Sequence, residues 1–258
     1  MTRLSVNVNK LATIRNARGK NAPDVEALAA KILKYGAYGI TVHPRPDGRH
    51  IRLSDVHALS DLVNRWNERE EQKAEFNIEG YPADEFLQMI NEIRPDQCTL
   101  VPDPPEALTS NAGWDVIRHE SELKRILGVL RKSSVRVSLF IDPKTTGEPE
   151  YAALRRLAPD RIELYTEAYA DHYHQPSREK ITADYKRVAE FAKSAGIGVN
   201  AGHDLNQENL AYLITQIPWI DEVSIGHALI CEALEQGLET TVNNYLSILD
   251  RPSRDSRG

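Results

Sequence analysis

Short apolar, β-branched runs alternate along the chain with longer stretches whose apolar positions recur at helical spacing. The runs are LSVNV (4–8), YGITVH (38–43), EFNIEG (75–80), QCTLVP (97–102), VRVSLFID (135–142), RIELYT (161–166), GIGVNAG (196–202) and EVSIGH (222–227). Such short runs read as strands covered on both faces. The segment APDVEALAAKILKYG carries Asp24 near its start and Gly36 after its end, the stop and start residues of a helix. LSDVHALSDLVNRW, PADEFLQMINEI, SELKRILGVLRK, YAALRRL, ITADYKRVAEFAKSAG and LNQENLAYLITQI follow the same logic, and a final helix is expected from about Ala228 to Leu249.

Eight strands alternating with helices, with no low-complexity linker, predict an α/β chain folded as a closed (β/α)8 TIM barrel. One domain is expected over 1–250, with a frayed polar tail, RPSRDSRG, over 251–258. A doubly wound open sheet competes poorly, because no G-x-G-x-x-G follows the first strand.

A barrel places its reactive residues where strands end, at the C-terminal face. The strand ends carry Asn7, Asn9 and Lys10; His43 and Arg45; Glu79; Thr99; Asp142; Glu163, Tyr165 and Thr166; Asn200 and His203; Gly226 and His227. Of eight histidines, three terminate strands and His50 follows one closely, whereas His57 and His119 fall on helix surfaces. Glu79 ends the apolar run Phe76-Asn77-Ile78, so burial should raise its pKa and suit it to general-base work; an ion pair is the plainer alternative. Glu163 has the same setting, with a scaffold role equally open. His43 and His203 suit proton exchange near neutrality.

Arg45, Arg49 and His50 form a cationic loop matched to phosphate oxygens, unless it is simply a solvated loop. In SIGHAL, Gly226 and the helix start at His227 offer a second anion site, with Arg15 and Arg18 of RNARGKN adding cations. Two such sites suggest two phosphorylated substrates or one bisphosphate. Three other classes stay open at this point. A zinc hydrolase would use His43, His203 and His227, although VNVNK lacks the H-x-H pair of many metal-dependent barrels. A Schiff-base aldolase would use Lys10. A non-catalytic barrel would only bind a phosphorylated ligand.

Composition narrows the partners. The chain has 258 residues, 41% of them hydrophobic and 27% charged, with a net charge of −6, which disfavours a broad nucleic-acid surface. No segment approaches the ~18 apolar residues of a membrane span, and MTRLSVNVNK lacks the apolar run of a signal peptide. Cys98 and Cys231 follow no metal spacing, so a reducing cytoplasm is expected.

Taken in order, SVNVNKLATIRNARG, GITVHPRPDGRHI, FNIEGYP, LVPDPPEALTSNAGWD, VSLFID, ELYTEAYA, VNAGHDL and SIGHALI resemble the pyridoxine 5′-phosphate synthase family over residues 5 to about 230. The resemblance implies a TIM barrel with extra helices, assembled as a homo-octamer. It implies condensation of 1-deoxy-D-xylulose 5-phosphate with 3-amino-2-oxopropyl phosphate, without metal or organic cofactor. It implies His43 and Glu79 as proton acceptors, His203 as proton donor and Glu163 as transition-state stabiliser. Arg45, His50 and Thr109 match positions that hold the first substrate; Asn7, Arg18, Gly226 and His227 match those that hold the second. The chain departs from the family pattern at Asn9-Lys10, usually Asp-His; at Tyr165-Thr166-Glu167, usually His-Thr-Gly; and at Asp204, usually Gly. Asn9, Lys10 and Asp204 are therefore expected to alter substrate contacts rather than the reaction. A βα loop should close over unsaturated intermediates, with 103–113 the first candidate and 142–150 the second.

Overall fold

The computed structural model describes residues 1–103 and 112–255. Eight parallel strands close into a barrel in sequence order: β1 (Arg3–Asn7), β2 (Gly39–Val42), β3 (Glu75–Gly80), β4 (Gln97–Leu100), β5 (Arg136–Ile141), β6 (Arg161–Tyr165), β7 (Gly198–Gly202) and β8 (Glu222–Ile225). β8 returns to β1 with Arg3 opposite Glu222 and Val6 opposite Ile225, so no sheet edge remains. All eight expected strands are present.

The helices are α1 (Asn9–Asn16), α2 (Val25–Lys34), α3 (Leu53–Arg69), α4 (Asp84–Ile93), α5 (Glu120–Leu130), α6 (Glu148–Leu157), α7 (Glu167–Asp171), α8 (Arg178–Ser194), α9 (Leu210–Gln216), α10 (His227–Gln236) and α11 (Leu238–Asp255). Asp24 caps α2 by accepting the Ala27 amide at 3.0 Å. Three corrections concern element boundaries. The final helix is two, α10 and α11, because Gly237 takes φ +83° between them and breaks the hydrogen-bonded run. The segment after the first strand is helical at once, and Asn9 and Lys10 form the first turn of α1. The tail expected from residue 251 overlaps α11, which runs to Asp255.

The strands are covered on both faces, as expected, but only one face is apolar. Leu4, Val6, Ile40, Val42, Phe76, Ile78, Val137, Leu139, Ile162 and Leu164 are buried in the hydrophobic core between barrel and helices. The alternate positions, which period two sends into the barrel, are mostly polar, with Phe140 an exception. A middle layer is hydrogen-bonded internally: Ser5 Oγ lies 2.7 Å from Thr41 Oγ1, Asn77 Nδ2 donates to Thr41 Oγ1, and Thr99 donates to Asn77 Oδ1. Below it, at the strand starts, Arg136 pairs with Glu75, and Arg161 lies 3.7 Å from Glu222 and donates to Gln97 and Asn200. Most of these interior groups satisfy one another, Gln97 Nε2 and Ser138 Oγ being exceptions.

Candidate active site

At the C-terminal ends of the strands lies a cavity of about 610 Å³. It is lined by Asn7, Asn9, Lys10, His43, Arg45, Arg49, His50, Glu79, Glu163, His203, Asp204, Gly226 and His227, among others. Nearly every residue given a catalytic or substrate-binding role is thus brought to one place. Two of them are not: Arg18 is exposed in the turn after α1 and does not line the cavity, and Thr109 lies outside the described residues. Of the other residues named from the sequence, Arg15, Thr99, Asp142, Tyr165, Thr166 and Asn200 do not line it either. The lid expectation at 103–113 likewise falls mostly outside them, while 142–150 folds into a turn at Asp142 and the start of α6.

Glu79 leaves β3 into the cavity, 3.8 Å from His43 Nδ1 and 3.4 Å from the Asn7 side-chain amide. Burial pushes its carboxyl up to about 7, against the pull of His203, a hydrogen bond from Ser224 and Arg45. His43 moves the opposite way, down to about 3, because it is buried and faces Arg45, His50 and Arg49. The contact is therefore no ion pair at neutral pH: a neutral imidazole sits beside a carboxyl that titrates near neutrality. Asn9 holds the backbone of this base pair, since its side-chain oxygen accepts the His43 amide at 3.0 Å.

Glu163 is only 3% exposed, and burial beside Glu79 and Glu222 keeps it protonated well above the usual carboxylate range, with Thr99 as hydrogen-bond partner. Its carboxyl occupies the space over Gly202, where a Cβ would fall 2.4 Å from Oε1, so that glycine is required by the packing. A neutral carboxylic acid in this place can donate a hydrogen bond to a developing oxyanion.

The cationic loop is anchored from α1. Asn16 donates to the carbonyls of Gly48, Arg49 and His50. Arg15, expected as a cation for the second anion site, is instead buried and forks onto Asp55 at 2.5 and 2.8 Å. That pairing spans 40 residues of chain and could not be read locally. Arg49 pairs with Asp47 at 2.6 Å, yet it also lines the cavity. His50 accepts the Ile51 amide on Nδ1, which puts its proton on Nε2. Burial and the charges of Arg45, Lys10 and Arg49 push His50 down to about 4. Arg45 is also lowered, by burial first and Arg49 second. Cations that weaken one another in this way are what a bound phosphate dianion would relieve.

Across the cavity, α10 starts at His227 with Gly226 as its cap. A Cβ on Gly226 would meet Asn7 at 3.0–3.3 Å, so this glycine also lets β1 and β8 close together. The first turn of α10, where a helix leaves N–H groups without partners, borders the cavity at His227 and Ala228. Glu167, named above only as a departure from the family pattern, lines the cavity, and Thr13, Val101, Phe140, Leu205, Ser224 and Ile225 line it without having been singled out in the sequence. Ser224 and Phe140 follow the period-two pattern of their strands and were legible on that basis.

A Schiff-base lysine requires a desolvated amine, and Lys10 is exposed. Among the described residues no group of three or more His, Cys, Asp or Glu is arranged to hold a metal ion. No helix among them is long and apolar enough to cross a membrane.

A closed barrel with carboxyl and imidazole groups of shifted ionisation at its mouth, flanked by clustered cations, defines an acid–base (β/α)8-barrel enzyme. Comparison with known proteins narrows the class. The family model "Pyridoxal phosphate biosynthesis protein PdxJ" matches residues 4–251, and the chain belongs to that family. Relatives named pyridoxine 5′-phosphate synthase include one from Cytophaga hutchinsonii, 52% identical over 97% of this chain and 100% of its own. Another, from Parabacteroides distasonis, is 49% identical over 97% and 100%. The chain is accordingly an enzyme of vitamin B6 biosynthesis, a synthase. Solved structures at low identity share the fold. An aminoacrylate-bound tryptophan synthase from M. tuberculosis aligns with a TM-score of 0.64 at 12% identity, covering 96% of this chain and 93% of its own. The octameric Rubisco of Pyrococcus horikoshii gives 0.60 at 13%, covering 99% and 62%.

Proposed function

We propose that the chain condenses 1-deoxy-D-xylulose 5-phosphate with 3-amino-2-oxopropyl phosphate to give pyridoxine 5′-phosphate, phosphate and water. The observation that carries this reading is the pair Glu79 and neutral His43, set in one cavity with Arg45, His50 and the N-terminus of α10. A carboxyl titrating at about 7 is matched to removing carbon-bound protons at neutral pH.

The amine of one substrate attacks the ketone of the other and loses water to form an imine. Glu79, assisted by His43, takes the protons next to the imine and drives loss of water and then of phosphate from the deoxyxylulose-derived half, whose unsaturated terminal carbon adds water back to become the hydroxymethyl group, while the amino ketone's phosphate is kept as the product's 5′-phosphate. The enamine carbon of the other partner closes the ring on the remaining carbonyl. His203 protonates the departing oxygen, and loss of water completes the aromatic ring. Glu163, as a neutral acid, hydrogen-bonds the oxygen on which charge develops. Arg45 and His50 hold the deoxyxylulose phosphate, while Asn7, Gly226 and His227 hold the amino ketone phosphate. Thr109 is assigned to the first of these sites and Arg18 to the second.

The protein works as a homo-octamer in the cytoplasm on this reading, supported by its family membership and by Cys98 and Cys231 both being free thiols. Purified protein mixed with both substrates, without added metal or cofactor, should release pyridoxine 5′-phosphate detectable by chromatography. No product at any pH between 6 and 9 would overturn the assignment. Light scattering on a sizing column reads the assembly independently.

A further inference from the structure

His203 and Asp204 follow β7 with φ of +86° and +59°, a left-handed conformation that non-glycine residues adopt at a cost. The surroundings hold it in place. Thr166 donates from its hydroxyl to the carbonyls of Gly202 and His203, and Asn209 donates to the carbonyl of Asp204 at 3.0 Å. Two consecutive left-handed residues bring adjacent side chains together, and Asp204 Oδ2 lies 2.9 Å from His203 Nδ1. The ring of Tyr165 packs edge-on against His203 with centroids 4.9 Å apart. The Tyr165 hydroxyl donates to Glu167, so that second carboxylate is engaged elsewhere.

We propose that Asp204 is a positioning residue for His203: its carboxylate fixes the ring and serves as counter-ion to the imidazolium that donates a proton through Nε2. This rests on the reading of His203 as the proton donor. An imidazole whose Nδ1–H is held by an acceptor presents Nε2 to substrate, and it can give a proton there only as the cation. Burial by itself disfavours that cation; the hydrogen bond and charge of Asp204, then the charges of Glu167 and Glu79, reverse the balance and raise the pKa of His203. His203 therefore faces Asp204 on its own loop, Tyr165 on β6, Glu167 on α7 and Glu79 on β3. Asp204 in turn is lowered by its bond to His203 and by the charges of His203 and His227.

Two variants separate orientation from charge. Asp204→Asn tolerates the left-handed backbone and can still accept from Nδ1, but carries no charge. Asp204→Gly removes both. Turnover by the full chain depends on the His203 cation, present below its pKa and lost above it. In Asp204→Asn the alkaline limb of kcat should move down by about one pH unit or more, a tenfold loss on that limb, with the plateau at lower pH largely kept. In Asp204→Gly the plateau should fall as well. Nitrogen-15 NMR of histidine-labelled protein should show His203 titrating lower in Asp204→Asn, independently of activity. An unmoved limb with only a raised KM would overturn the proposal and make Asp204 a substrate contact. His203→Asn run in parallel distinguishes the underlying reading: if it keeps full turnover, His203 is not the donor.

Discussion

His43 and Glu79 stand 3.8 Å apart with their ionisation inverted, the carboxyl titrating at about 7 and the imidazole at about 3. One cause, burial, moves both, because it disfavours whichever form is charged. Arg45, Arg49 and His50 push His43 further down but pull only weakly on Glu79, so the two separate. A base in this state works when ionised: activity is present above about 7 and lost as pH falls through it. Glu79→Gln should abolish that limb and lower kcat by about 10²–10⁴-fold. Calorimetric binding of substrate phosphates and the circular-dichroism melt should change little, and undiminished turnover would remove Glu79 from the base role.

Arg45 is 7% exposed and acts on two neighbours at once. Arg45→Ala should weaken binding of one phosphorylated substrate by about 10–100-fold, as expected for losing one charge-assisted hydrogen-bonding group. It should also raise the pKa of His50 from about 4, since Arg45 is, after burial, the main cause of its depression. NMR titration of His50 in the variant checks the second effect without substrate. A KM change with no movement of His50 would mean that Arg45 points away from it in solution.

The barrel was legible because its outward strand positions are apolar and short, and because glycine, proline and helix-period segments punctuate them. The site was legible because barrel topology converts strand ends into one cavity, so His43, Glu79, Glu163 and His203 could be named without coordinates. What escaped depended on distant or conformational facts. Arg15 looks like a cation near the site until Asp55 is seen to occupy it. The first turn of α1 has no side-chain cap, so Asn9-Lys10 read as a strand end. The break at Gly237 lies inside a helical pattern where one glycine is ordinarily tolerated. Asp204 was recognisable as an unusual residue, but its bond to His203 follows only from the left-handed backbone of both.

Lys10 lines the cavity from the first turn of α1, exposed and among the charges that depress His50. It should therefore contact substrate non-covalently. Lys10→His should retain turnover within about tenfold, a change of about 1.4 kcal/mol in the barrier. Borohydride added with the substrates should leave no adduct on Lys10, as mass spectrometry of the digested chain would show. A stable adduct there would instead make the reaction an imine-forming one on the enzyme.

Glu222 closes the lower end of the barrel, 3% exposed, 3.7 Å from Arg161 and in the field of Arg136 and Arg3. Burial outweighs those cations and pushes it up from 4.5 to about 7. The folded state then binds a proton that the unfolded chain has released at any pH between these values. Stability contributed by this group is present below 4.5, falls as pH rises through the window, and is fully lost above 7. The displacement corresponds to ~3 kcal/mol at 1.36 kcal/mol per pH unit. Glutamine keeps the shape and cannot ionise, so Glu222→Gln should gain stability relative to the parent chain as pH rises, with most of the gain between pH 4.5 and 7. Urea unfolding of both proteins at pH 4.5 and 8 measures this as a difference of differences, in which the other carboxyls cancel. A constant offset between the two pH values would mean that Arg161 keeps Glu222 ionised throughout, and the lower network would then be an ion pair rather than a shared proton.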